Sequence, residues 1–108
     1  MTNINSIDAY EKALDQSTYS VMVFYSRWCI DCITVKPALK RLEAIYPEFD
    51  FYWVNREDVA QLSNHLNIYG VPSLLFYDKD QIKNTWISKN PKPFAALKKF
   101  LDACLNDV

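Results

Sequence analysis

The spacing of apolar positions changes along the chain, and each change marks a new element. Ile7, Tyr10 and Leu14 share one face of a helix that Asn5 or Ser6 can cap and that runs to about Gln16. Ser20 to Tyr25 is almost unbroken in apolarity and rich in β-branched and aromatic residues, which predicts a strand buried on both faces. From Cys29 to about Tyr46 the positions Val35, Leu39, Leu42 and Tyr46 follow a helical period. Pro37 falls inside that helix and should kink it, because proline removes one backbone bond and crowds the preceding turn. Phe51 to Asn55 reads as a second central strand, and Val59, Leu62 and Leu66 as a short helix ending before Gly70. Ser73 to Tyr77 and Ile82 to Ile87 then form two strands joined by the polar turn Asp78-Lys79-Asp80-Gln81, close enough for an antiparallel hairpin. Asn90 can cap a last helix with Pro91 at its first position, and Phe94, Leu97, Leu101 and Cys104 line its apolar stripe. A short strand near Ile4 can precede the series. A strand–helix–strand unit followed by a hairpin and a helix predicts an α/β fold, with a central mixed sheet of four or five strands and helices on both faces.

Length and composition narrow the picture. The chain has 108 residues, which predicts a single domain over 1–108. Half of its residues are apolar and 23% are charged, as in a soluble globular protein. The net charge is −1 with both signs interspersed, so no basic stripe invites nucleic acid. Apolar runs stop near five residues, far short of the roughly 20 that span a bilayer. The start Met1-Thr2-Asn3-Ile4-Asn5 has neither a charged nor an apolar leader segment, so we expect a reducing cytoplasm.

The candidate chemistry lies in Trp28-Cys29-Ile30-Asp31-Cys32, directly after the first long strand. If a helix begins at Cys29, residues i and i+3 share the face of its first turn, and two sulfurs there can close or open with little backbone movement. A thiolate is also favoured by the unpaired N–H groups of a helix start. A Cys-x-x-Cys pair has two other readings, half of a metal site and a redox-inert buried pair. A structural zinc site takes four ligands. The only other soft candidates are Cys104, on an apolar stripe, and His65, in a polar helix, and neither has ligand spacing. No metal or other bound cofactor is expected. Cys104 reads as a small buried hydrophobe and His65 as a surface residue.

Further motifs carry a resemblance over essentially the whole chain. Trp28-Cys29-Ile30-Asp31-Cys32 at the end of a central strand, Pro37 five residues after the second cysteine, Gly70-Val71-Pro72-Ser73 before an apolar strand, and Phe100-Leu101-Asp102-Ala103 in the last helix occur in the order found in the thioredoxin family, which the chain resembles. The resemblance implies a thioredoxin-like fold and a thiol–disulfide oxidoreductase. Cys29 would be the exposed nucleophile and Cys32 the buried resolving cysteine. Val71-Pro72 would be a cis pair whose backbone pairs with an extended substrate. Trp28, Ile30 and Ile87 would be further substrate contacts. Substrates would be disulfide-containing proteins or small disulfides, with electrons from a separate reductase or small thiol.

The departures are specific. Ile30-Asp31 stands where thioredoxins proper usually have Gly-Pro. Asp31 suits the helix dipole but disfavours a thiolate at Cys29, and Arg27 acts in the opposite direction. Val23 and Trp53 occupy the positions of a buried aspartate and a lysine that handle the proton of the resolving cysteine. A rival expectation follows, a peptide-binding module docking partners at Trp28 and Val71-Pro72 with little redox turnover.

Overall fold

The computed structural model covers residues 1–108. Its elements are β1 (Thr2–Ile4), α1 (Ile7–Gln16), β2 (Tyr19–Tyr25), α2 (Ile30–Ile45), β3 (Asp50–Asn55), α3 (Ala60–His65), β4 (Ser73–Asp78), β5 (Gln81–Trp86) and α4 (Phe94–Asn106). The five strands form one sheet in the order β1-β3-β2-β4-β5. β1, β3 and β2 run parallel, whereas β4 and β5 are antiparallel to their neighbours. This is the mixed five-stranded sheet with four helices expected of a thioredoxin-like fold.

The inner strands explain why the sheet is covered twice. Val21 and Val23 of β2, Phe51 and Trp53 of β3, and Leu74 and Phe76 of β4 point into one apolar cluster with α2 and α4. Met22 and Phe24, Tyr52 and Val54, and Leu75 and Tyr77 alternate with them and point into a second cluster with Tyr10 and Ala13 of α1. Period-two alternation with apolar residues at both phases needs helices on both faces.

Local signals set most boundaries. Ser6 is the N-cap of α1, its Oγ accepting the Ala9 N–H at 3.1 Å. α3 is short, and the chain leaves it through Asn67 in the left-handed region, a conformation asparagine tolerates. Two expectations need correction. β5 ends at Trp86, so Ile87 belongs to the following loop. α4 begins at Phe94 behind Pro93, not at Pro91 behind Asn90. A residue before proline is pushed out of the helical region, and Asn90 and Lys92 both precede one, so the segment stays extended until the second proline is passed.

Tyr10 and Tyr77 meet inside the second cluster, their hydroxyls 2.7 Å apart. Burial pushes both phenols above the ordinary tyrosine value. Tyr10→Phe leaves the Tyr77 hydroxyl buried without its partner and should cost about 1–3 kcal/mol. Replacing both with Phe should recover most of that loss, measured by urea denaturation.

Cys104 is fully buried on α4, and burial pushes its thiol from 9.0 up to about 12. The folded state therefore holds this proton where the unfolded state has lost it. The corresponding stability is complete below pH 9.0 and is lost as pH rises toward about 12. Denaturation midpoints should fall across that interval, and Cys104→Ala should flatten the fall.

Candidate active site

β2 ends at Tyr25, and Ser26-Arg27-Trp28 turns the chain from the sheet into α2. The turn is closed by the Cys29 N–H donating to the Ser26 carbonyl at 3.1 Å. Cys29 then sits one residue earlier than the helical pattern implies. It is the N-cap of α2, with extended backbone, and its sulfur accepts the Cys32 N–H at 3.1 Å. A sulfur in this place takes the part that a serine or aspartate oxygen plays at other helix starts. Cys29 and Cys32 are joined in a disulfide with a Cα–Cα separation of 5.2 Å. Cys29 is partly exposed, whereas Cys32 is 1% exposed and packs in the first core cluster.

The loop from Gly70 to Ser73 faces this pair. The Val71–Pro72 bond is cis, and the Val71 carbonyl oxygen lies 3.6 Å from the Cys29 sulfur. Val71 donates to no backbone group of the protein. Ser73 locks the loop from behind, its hydroxyl donating to the Gly70 carbonyl at 2.6 Å and accepting the Ser88 N–H at 3.3 Å. Tyr69 adds a second brace, donating to the Ile87 carbonyl at 2.9 Å. Ile87 is thereby held beside the loop, its side chain half-buried against the second cluster. Gly70, the chain's one glycine, is needed here for space alone, because its φ is not positive. A Cβ on it would lie 2.7 Å from the Lys89 backbone nitrogen.

Around the disulfide the surface is apolar. Trp28 is 90% exposed, Ile30 79% and Ile33 69%. Isolated exposed apolar residues are ordinary, but these three flank the two cysteines in sequence. On its core side Cys32 packs among apolar residues. Val23 and Trp53 are paired in register across β2 and β3, and both point into the first cluster. No carboxylate or ammonium replaces the expected proton-handling pair at those two positions.

Asp31 has a charged neighbour that sequence reasoning missed. Lys92 is 4% exposed, and its ammonium donates to the Ser88 hydroxyl at 3.1 Å and to the Asn90 carbonyl at 3.1 Å. It lies 5.1 Å from the centre of the Trp86 ring. Burial pushes Lys92 below the ordinary lysine value, and the Asp31 carboxylate pulls it back up. A lysine between two prolines was the available signal, since neither Asn90 nor Lys92 can enter a helix there. Arg27 is exposed and lines a cleft with Cys32. His65 is exposed at the end of α3, and Cys104 is buried on α4. No group of three or more His, Cys, Asp or Glu side chains is placed to hold a metal ion. No helix is long and apolar enough to cross a membrane.

A partly exposed cysteine capping a helix, bonded to a buried partner one turn in, defines a thiol–disulfide oxidoreductase when an open backbone edge lies against it. The chain belongs to the thioredoxin family, whose sequence model matches residues 2–103. It is 23% identical to thioredoxin-1 of Saccharomyces cerevisiae over 103 residues, covering 95% of this chain and 97% of that one. Its fold is similar to that of Plasmodium falciparum thioredoxin, with a TM-score of 0.85 at 19% identity, over 95% of this chain and 98% of that one. It is likewise similar to the oxidized form of mitochondrial thioredoxin 3 from Saccharomyces cerevisiae, with a TM-score of 0.79 at 22% identity and 94% of each chain covered.

The close approach at Gly70 gives a local prediction. Gly70→Ala must push the 88–89 backbone away, so it should destabilise the protein by about 1–3 kcal/mol, as overpacking does. Hydrogen exchange should quicken at Ser88, whose N–H bond to Ser73 would be stretched.

Proposed function

We propose that the chain reduces disulfide bonds in protein or low-molecular-weight substrates, with Cys29 as nucleophile and Cys32 as resolving thiol. The observation that carries this reading is the capping sulfur of Cys29, which accepts the Cys32 N–H at 3.1 Å while remaining partly exposed. An N–H aimed at sulfur favours the thiolate over the thiol, as does the helix start itself.

The cycle starts from the dithiol. The Cys29 thiolate attacks one sulfur of the substrate disulfide, forming a mixed disulfide and expelling the other sulfur as a thiolate that takes up a proton. Cys32 then loses its proton and attacks the Cys29 sulfur. The mixed bond breaks, the second substrate sulfur leaves and is protonated, and the Cys29–Cys32 disulfide remains. Two electrons and two protons have passed to the substrate. A separate reductase or a small thiol restores the dithiol, and no bound cofactor is required. The reduced poise of a cytoplasm suits this direction.

Val71 would supply the docking edge, pairing its backbone with an extended substrate, and Pro72 adds no competing N–H. Trp28, Ile30 and Ile87 would complete the contact surface. Asp31 and Arg27 would tune Cys29 in opposite directions, with Lys92 offsetting the charge of Asp31. The apolar pair Val23 and Trp53 favours a second reading, a peptide-docking module at Trp28 and Val71-Pro72 that turns over little.

Reduction of a generic disulfide protein, with a small dithiol as electron source, separates the two. The native chain should exceed the free dithiol, and Cys29→Ser should fall to its level. Cys32→Ser should accumulate a mixed disulfide on Cys29, seen as an added mass that dithiol removes. No rate above the free dithiol with both cysteines intact would leave only the docking reading.

A further inference from the structure

Three cations converge on one cleft beside the resolving cysteine. The cleft has a volume of about 430 Å³, and Arg27, Lys36 and Lys40 line it together with Cys32, Tyr25 and Trp53. None of its lining residues is acidic. The ion pairs of the protein are Met1–Glu43, Arg56–Glu57 and Lys98–Asp102, so none of the three cations has an acidic partner. Glu57 accepts from Ser26, which lines the cleft, and from Arg56.

The floor is aromatic and rigid. Tyr25 and Trp53 stack with ring centres 4.4 Å apart, nearly parallel at 10°. The Lys36 ammonium lies 5.1 Å from the centre of the Trp53 ring. Lys36 and Lys40 are four residues apart on α2, where like charges repel and weaken a helix. Helix stability therefore does not account for their placement, whereas an anion between them would turn the repulsion into attraction. Shared with the redox pair is Cys32 alone; no residue of the Gly70–Ser73 loop lines the cleft.

We infer that this cleft receives acidic side chains of a protein substrate, carried on the segment next to its reactive disulfide. The inference deepens the disulfide exchange proposed above and rests on it for its biological use. A substrate segment pairs with Val71 on one side of the disulfide and sets its carboxylates against Arg27, Lys36 and Lys40 on the Cys32 side. An extended segment suits both contacts, because its backbone meets Val71 and its side chains reach outward. The cleft then selects among disulfides of equal reactivity by the charge of their flanks.

Binding is tested without turnover by titrating cysteine-free peptides into the isotope-labelled oxidised protein. A peptide with two adjacent aspartates should shift the amide signals of Arg27, Lys36 and Lys40 and the Trp53 indole. The matched lysine peptide should not. Lys36→Gln/Lys40→Gln should remove the shifts, as should raising salt from about 0.02 to about 0.3 M, which shortens the screening length severalfold. Absence of shifts at the cleft, or equal shifts with the lysine peptide, would overturn the inference. So would glutarate binding as tightly as the acidic peptide, which would make the occupant a small free anion.

Kinetics give the second arm. With disulfide-linked versions of the two peptides, the acidic one should have a kcat/KM roughly tenfold higher at low salt, a size expected of a few exposed charge pairs together. The ratio cancels any loss of turnover common to both peptides, and it should approach one in Lys36→Gln/Lys40→Gln. Equal kcat/KM values for the two peptides would refute the inference while leaving disulfide reduction standing. Cleft shifts without reduction of either peptide would support the docking site and count against the proposed reaction.

Discussion

Three strands with apolar side chains on both faces impose the main constraint on this protein. Such a sheet must be covered twice, and four short helices do it, α2 and α4 on one side and α1 and α3 on the other. The cover ends where β2 delivers the chain to α2. At that edge the backbone has to leave the sheet, turn and enter a helix whose first N–H groups have no partner within the helix. The Cys29 sulfur takes one of them, so the requirement that closes the fold also fixes the reactive atom. Burial of Cys32 follows from the same geometry. One turn along α2 the side chain faces the sheet, and the exposed and buried roles of the two sulfurs are set by helix phase.

Support for the site is transmitted largely through backbone groups. Ser73 joins the Gly70 carbonyl to the Ser88 N–H, Tyr69 holds the Ile87 carbonyl, and Lys92 gathers Ser88 and Asn90. These bonds tie two loops together behind the edge that faces Cys29. They also place a buried ammonium near Asp31, the charged residue between the cysteines. A carboxylate there would by itself oppose a thiolate at Cys29. In the proposed cycle a cation held nearby by carbonyls and hydroxyls would offset part of that field without contacting sulfur.

The order of elements was legible in the sequence because periodicity is local, and the motifs around Cys29, Pro37 and Val71-Pro72 were legible because their spacing is fixed. What escaped depends on approach in space. The pattern from Phe94 to Cys104 marked the stripe of α4 but not its start, which two prolines delay. Lys92 reads as one more surface lysine until the loop folds over it. Gly70 reads as a turn residue, yet its backbone conformation is ordinary and the need is room for Lys89. Arg27, Lys36 and Lys40 are scattered through a mixed-charge sequence, and only the end of β2 meeting the first turns of α2 makes them neighbours.

The pairing of Val23 with Trp53 bears most directly on the proposed chemistry. Both are apolar, both lie in the cluster that holds Cys32, and neither can give or take a proton. An apolar setting disfavours the thiolate of a buried cysteine. In the proposed cycle burial would keep reduced Cys32 a thiol and capping would favour a thiolate at Cys29, a division of labour that needs no internal acid–base pair. In the proposed cycle the Cys32 proton would leave by the cleft that Cys32 lines. Arg27, Lys36 and Lys40 line that same cleft, so in the proposed cycle the exit of this proton and the choice of an acidic partner would meet in one place.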